Sequence, residues 1–201
     1  VVVAVMVGNV SLSAQKNDLE MQSKAASYQL EIFFQEYMTI VEQMALDKDV
    51  WTLLTETKAG DKITESADYQ TVFHEMEKIA AADSDNIQAV WLGDIDANVV
   101  TQSDGFTSDS SFEITERTWY RAVETNSTIL TSAYVDASTG NLILSAATPV
   151  YDENGKNIIG VAGADIALEH IDELLSAYKI GNNGFVILVT SDGTIIYHPN
   201  S

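Results

Sequence analysis

No cysteine occurs anywhere in the 201 residues. That absence removes disulfide staples, thiolate metal sites and cysteine nucleophiles together. Basic residues are scarce, ten against thirty acidic ones, for a formal net charge of −20. A nucleic-acid binder needs the opposite sign to displace counterions from phosphates, and an anionic lipid surface repels such a chain. DNA and RNA are therefore not expected partners, and the acidity reads as a solvated surface. The three histidines, His74, His170 and His198, are isolated from one another. No G-x-S-x-G, H-E-x-x-H or phosphate loop is present, so no catalytic constellation and no cofactor or metal is implied. Two aspartates could form an acid–base pair, but nothing supplies a nucleophile beside them. The expectation is a protein that is not an enzyme.

Long apolar runs are also missing. The longest at the start is V-V-V-A-V-M-V, residues 1–7, too short at about 1.5 Å per residue to cross a core roughly 30 Å thick. A polar, helix-like segment follows it. Residues 1–9 are accordingly read as the end of a transmembrane helix, which would anchor the chain in a membrane.

What is present is a 46% hydrophobic composition, enough for a core. Residues 10–47 contain no proline, and Leu30, Phe34, Tyr37, Val41 and Met44 recur at steps of four and three. That spacing is the seam of a packed helix. At roughly 55 Å it is longer than one small domain is wide, so it reads as a stalk with its C-terminal half docked. Its more polar first half has few apolar residues to bury at home and is expected to pair with a second copy. Shorter helices are expected over 49–56 and 67–82, with a surface loop between them.

After Asp85 the period becomes strand-like. Residues 87–92 and 98–101 flank G-D-I-D-A-N, a hairpin turn. The run from Asp94 also resembles the opening of a calcium loop, but Val99 stands where glycine is needed and Gly105 where glutamate is needed. Thr115 can cap a helix reaching Glu124. Strands are then expected over 129–136, 142–151 and 157–166, joined by A-S-T-G-N and D-E-N-G-K turns. A helix over 168–179 and a fresh hairpin from Gly184 complete the chain. The fold class expected is α+β: a long N-terminal stalk helix, then a PAS-like antiparallel five-strand sheet flanked by helices.

Several polar residues sit in apolar surroundings. Asp165 ends I-I-G-V-A-G-A-D, where an unpaired carboxylate costs several kcal/mol, and Gly163 leaves space on the same face. It either binds something or caps the next helix. Tyr134 and Asp136 share a strand face, although Asp136 also opens a turn. Arg117 and Tyr120 are three apart on the expected helix, with Trp119 directed toward the core. Arg117 could also pair with Glu113 or Glu124 at the surface.

Together, R-x-W-Y at Arg117, Trp119 and Tyr120, Y-x-D at Tyr134 and Asp136, and then Asp165 resemble the amino-acid-binding motif of double Cache domains. These are the extracellular or periplasmic sensors of bacterial chemoreceptors and sensor kinases. The resemblance implies a stalk helix over 10–47, a membrane-distal PAS-like module over 48–178 and the start of a membrane-proximal module over 179–201. It also implies a small polar ligand, an amino acid first. The arginine and tryptophan would hold its carboxylate; Tyr120, Asp136 and Asp165 would hold its ammonium; Tyr134 would line the pocket. Phe112 replaces the family's usual tyrosine five residues before the arginine, removing a hydrogen bond worth about 0.5–1.5 kcal/mol. Related sensors bind amines, small carboxylates or nucleobases in the same pocket. An adhesive or structural ectodomain is the alternative from another class.

Overall fold

The computed structural model describes residues 4–5, 13–109, 111–136, 138–168, 187–189, 193 and 195–198. After a two-residue strand β1 (Ala4–Val5) comes helix α1 (Ser13–Ala45), 33 residues uninterrupted by glycine or proline. The expected seam is buried: Leu30, Phe34, Tyr37, Val41 and Met44 all lie in the core, with Ala26 continuing it toward the N-terminus. Asp47 then stops one helix and starts the next. Its carboxylate accepts the Asp49 N–H at 2.7 Å, capping α2 (Lys48–Glu56), which buries Val50, Leu53 and Leu54. Helix α3 (Tyr69–Ala82) buries Tyr69, Val72 and Met76.

The main sheet is antiparallel throughout, with strands β2 (Ile87–Asp94), β3 (Val99–Gln102), β4 (Ile129–Leu130), β5 (Tyr134–Val135), β6 (Leu142–Tyr151) and β7 (Ile158–Ala167). Their order is β3-β2-β7-β6-β4, with β5 also pairing β6. Side-chain alternation divides the sheet into two faces. Val90, Leu92, Leu144, Ala146, Ala162, Ala164 and Ile166 face α1, α2 and α3 and join their core. Trp91, Val100, Ala147 and Val161 face the other way, under the 106–125 segment. Fold class is as expected: a long helix followed by an antiparallel α+β sandwich.

Three details differ from expectation. The single strand over 129–136 is two strands: Leu130 faces Ala146, but Tyr134 faces Ile143, so the register slips by one residue between them. That bulge puts Tyr134 and Ile129 on the same face of the sheet, which an unbroken strand would not do. The helix over 115–124 is instead two 3-10 turns, Ile114–Glu116 and Thr118–Tyr120, leading into a short α4 (Arg121–Thr125). Thr115 caps none of them. Finally Ala4–Val5, inside the stretch read as a transmembrane helix end, is extended and pairs with β8 (Leu188–Val189), itself paired with β9 (Ile195–Tyr197). Valine-rich sequence favours extended backbone, and the late hairpin supplies an open edge to pair with. The helix expected over 168–179 lies, apart from Leu168, outside the described residues.

Candidate functional site

On the face away from the long helix, the sheet and the 106–125 segment enclose a cavity of about 130 Å³. That is well below the ~300–1,000 Å³ of pockets that take drug-sized molecules. Phe112, Arg117, Trp119, Tyr134, Asp136 and Asp165 all line it. Residues spread over fifty positions of sequence thus meet in one small space.

Asp165 forms its floor. Opposite Ala89 on β2 and Ser145 on β6, it is only 2% exposed. Trp91 Nε1 donates to its Oδ1 at 2.8 Å and Ser145 Oγ donates to the same atom at 2.6 Å. Both bonds fall on Oδ1, and the Tyr134 hydroxyl is a further hydrogen-bond partner of the carboxyl. Burial outweighs these donors and pushes the carboxyl up to about 7, with Asp136 adding repulsion. Tyr134 OH and Ser145 Oγ are 2.7 Å apart, and burial plus the nearby Asp165 raise the phenol well above its ordinary range. The Trp91 indole reaches Asp165 because residue 163 is glycine: a Cβ there would overlap the ring.

Asp136 is both turn and wall. Its Oδ2 accepts from Ser138 Oγ at 2.6 Å, Thr139 Oγ1 at 2.6 Å, Thr139 N at 2.9 Å and Gln88 Nε2 at 3.2 Å. Among the described residues Oδ1 receives only the Ser138 N–H, at 3.3 Å. Burial raises this carboxyl, but the Ser138 and Thr139 donors more than compensate and hold it below the usual range. It is an ionised acceptor with one oxygen largely unused.

Arg117 sits between the two 3-10 turns in extended backbone (φ −83°, ψ 143°). Its guanidinium carbon lies 3.8 Å over the Phe112 ring, a cation–π contact where the family's tyrosine would offer a hydroxyl. It has no ion pair among the described residues, so neither Glu113 nor Glu124 holds it. Its Nε is buried without a hydrogen-bond partner. Trp119 does line the cavity while also packing on Trp91, ring centres 4.6 Å apart. Tyr120 does not line it; the residue packs beside the tryptophans instead. The break in the helix at Arg117 explains this, since positions 117 and 120 no longer share one helical face.

Among the cavity and floor residues that escaped sequence reasoning are Trp91, Ser145 and Gln102. Trp91 carries a partial signal, being a large aromatic on a strand with glycine two residues from an acidic residue elsewhere. Ser145 and Gln102 carry almost none, because their roles depend on which strands are neighbours.

The antiparallel sheet thus carries helices on one face and a charge-lined cavity on the other. The chain belongs to the Cache family: the model described as a Cache domain (dCache_1) matches residues 7–201. It is similar to PscA, a methyl-accepting chemotaxis protein of Pseudomonas syringae pv. tomato, at 33% identity over 119 residues, 59% of this chain and 18% of PscA. McpC of Bacillus subtilis, also a methyl-accepting chemotaxis protein, is 24% identical over 189 residues, 92% of this chain and 27% of McpC. The chain thus spans under a third of the length of these relatives. Among solved structures, the ligand-binding domain of the Pseudomonas fluorescens chemoreceptor CtaA in complex with L-isoleucine is 25% identical. It matches with a TM-score of 0.70 over 94% of this chain and 70% of that one. The chain is a ligand-binding domain of the chemotaxis-receptor type, a sensor and not an enzyme. No helix among the described residues is long and apolar enough to cross a membrane.

Proposed function

We propose that this chain is the extracytoplasmic sensing portion of a transmembrane chemoreceptor and that its cavity binds a small amino acid. Arg117 takes the carboxylate; Asp136 Oδ1 and the Asp165 carboxyl take the ammonium; Trp119 and Tyr134 close the sides. One observation carries the reading. A guanidinium without an ion pair among the described residues and two carboxylates line the same small cavity, and Asp136 Oδ1 accepts only one long bond among the described residues. A zwitterion is the ligand that neutralises both. That CtaA was solved with an amino acid supports the same reading. The receptor is proposed to be a homodimer through α1, anchored by flanking transmembrane helices, with modules divided near residues 48 and 179.

The test is a thermal shift and calorimetry series on glycine, alanine, serine and threonine, each beside its decarboxylated amine and its deaminated acid. An amino acid held at a hundred times its Kd adds about 2.7 kcal/mol of stability. Both truncated forms should bind at least tenfold more weakly. An amine that binds as well as its parent amino acid, and is indifferent to Arg117→Ala, overturns the carboxylate half of the reading.

A further inference from the structure

Gln102 is the cavity residue that a bare amino-acid backbone does not explain. It ends the edge strand β3, opposite Trp91, and its alternation places it on the cavity face with Val100. Only 6% of it is exposed, and its Oε1 is buried without any hydrogen-bond partner among the described residues. Buried acceptors are nearly always satisfied, and one that is not needs a reason.

The ligand ammonium is not that reason. Gln102 and Asp165 stand two strands apart across β2, roughly 10 Å at about 4.8 Å per strand. Their registers differ by two further residues, since Gln102 faces Trp91 and Asp165 faces Ala89. Side chains stand roughly perpendicular to a sheet, so a cation seated on Asp165 does not also reach the amide oxygen. Nor is the ligand carboxylate the reason, because a carboxylate only accepts. Arg117 Nε, the other orphan of this cavity, is a donor and suits the carboxylate. Gln102 Oε1 needs a donor from a part of the ligand that is neither. Glu116 at the same lining adds a second acceptor and no donor.

Resting on the amino-acid reading above, we infer that Gln102 selects ligands whose side chain carries a hydrogen-bond donor. The favoured class is short amino acids ending in a hydroxyl or amide; aliphatic ones are disfavoured. The cavity of about 130 Å³ keeps that side chain short. An aliphatic side chain leaves the amide oxygen desolvated and unpaired, which is how sites built around a buried acceptor reject an isostere.

The experiment uses two shape-matched pairs, L-threonine against L-valine and L-asparagine against L-leucine, titrated calorimetrically. The unmutated chain should prefer the donor-bearing member by tenfold or more. Gln102→Met keeps the length and apolar bulk of the side chain but has no strong acceptor, and should bring each pair within about threefold. Gln102→Glu keeps an acceptor oxygen and should retain the preference. The backbone of residue 102 makes its own bonds, to Phe106 O and from Gly105 N, so the fold does not depend on the amide. A ratio near one in the unmutated chain, or a preference that survives in Gln102→Met, overturns the inference while the amino-acid reading stands. Failure of every amino acid to bind sinks both. Should Gln102→Met not fold, the ratios of the unmutated chain still decide.

Discussion

Two demands pull the proton of Asp165 in opposite directions. In the free protein, burial favours the neutral acid and raises the group to about 7. A bound ammonium favours the carboxylate, because a charge-assisted bond in a dry pocket is stronger than a neutral one. Ligand uptake below pH 7 therefore expels a proton, and affinity should rise between pH 6 and pH 8 by up to about tenfold per unit at the acidic end. Asp165→Asn should remove this pH dependence and weaken binding by about 1.5–3 kcal/mol, ten- to a hundred-fold. Calorimetry in buffers of different ionisation enthalpy measures the released proton directly. A pH-independent Kd in the unmutated chain would show that Asp165 is already ionised or does not touch the ligand. The residue itself was legible, since a carboxylate in I-I-G-V-A-G-A-D has to be explained. Its partners were not. Nothing local to Trp91 or Ser145 says that β2 and β6 flank β7, and that pairing alone brings the indole and hydroxyl to one oxygen.

Helix α1 wears two apolar stripes, and the fold uses only one. The inner stripe, Leu30 to Met44, was readable from its period because it matches the sheet it packs on. The outer stripe is Met21, Ala25, Tyr28 and Ile32, at steps of four, three and four. Met21, Tyr28 and Ile32 are 63%, 67% and 69% exposed. This is the a/d spacing of a coiled coil, displaced around the helix from the buried seam. A parallel partner helix would bury it, which extends the expected pairing beyond the polar first half. Met21→Cys, Tyr28→Cys and Ile32→Cys should each form an intermolecular disulfide in the membrane-anchored receptor, while Ser23→Cys, on the far side of the helix, should not. Cross-linking at all four or at none, read on a non-reducing gel, excludes this seam. Other elements were less legible for the same physical reason that Trp91 was. The division of 129–136 into β4 and β5 is set by a register slip against β6, and the broken segment around Arg117 by packing over the sheet. Tyr120 lies outside the cavity because packing interrupts the helical period between it and Arg117.

At the scale of the whole molecule, a net charge of −20 predicts self-repulsion that salt relieves, but the buried carboxyls decide how stability varies with pH. Asp94, fully buried in the β2–β3 hairpin, accepts the Ala97 N–H on Oδ1 at 2.9 Å and has no partner on Oδ2. Burial raises it to about 6, with Asp96 adding repulsion, against an ordinary value of 3.8. Asp165 is raised further, to about 7. A carboxyl raised in the folded state lends stability that is complete below its unfolded pKa and is lost as pH climbs through the folded one. Between about pH 4 and pH 7 both groups therefore make the free protein less stable as pH rises. Asp136, Asp109 and Asp152 work the other way, since hydrogen bonds hold their carboxyls below the ordinary value. Their contribution is lost only as pH falls below about 4. The ligand-free chain should accordingly melt at a higher temperature at pH 5 than at pH 8. Asp94→Asn should flatten that slope without changing ligand affinity, because Asp94 does not line the cavity. Asp165→Asn should flatten it too, but at the expense of binding. Added salt should narrow the gap between pH 5 and pH 8 in every variant, since it screens the surface charge and not the buried groups. A slope that neither substitution alters would mean that surface repulsion and not these two carboxyls sets the pH dependence, and a melting temperature that rises from pH 5 to pH 8 would contradict both, since each lowers stability as pH climbs.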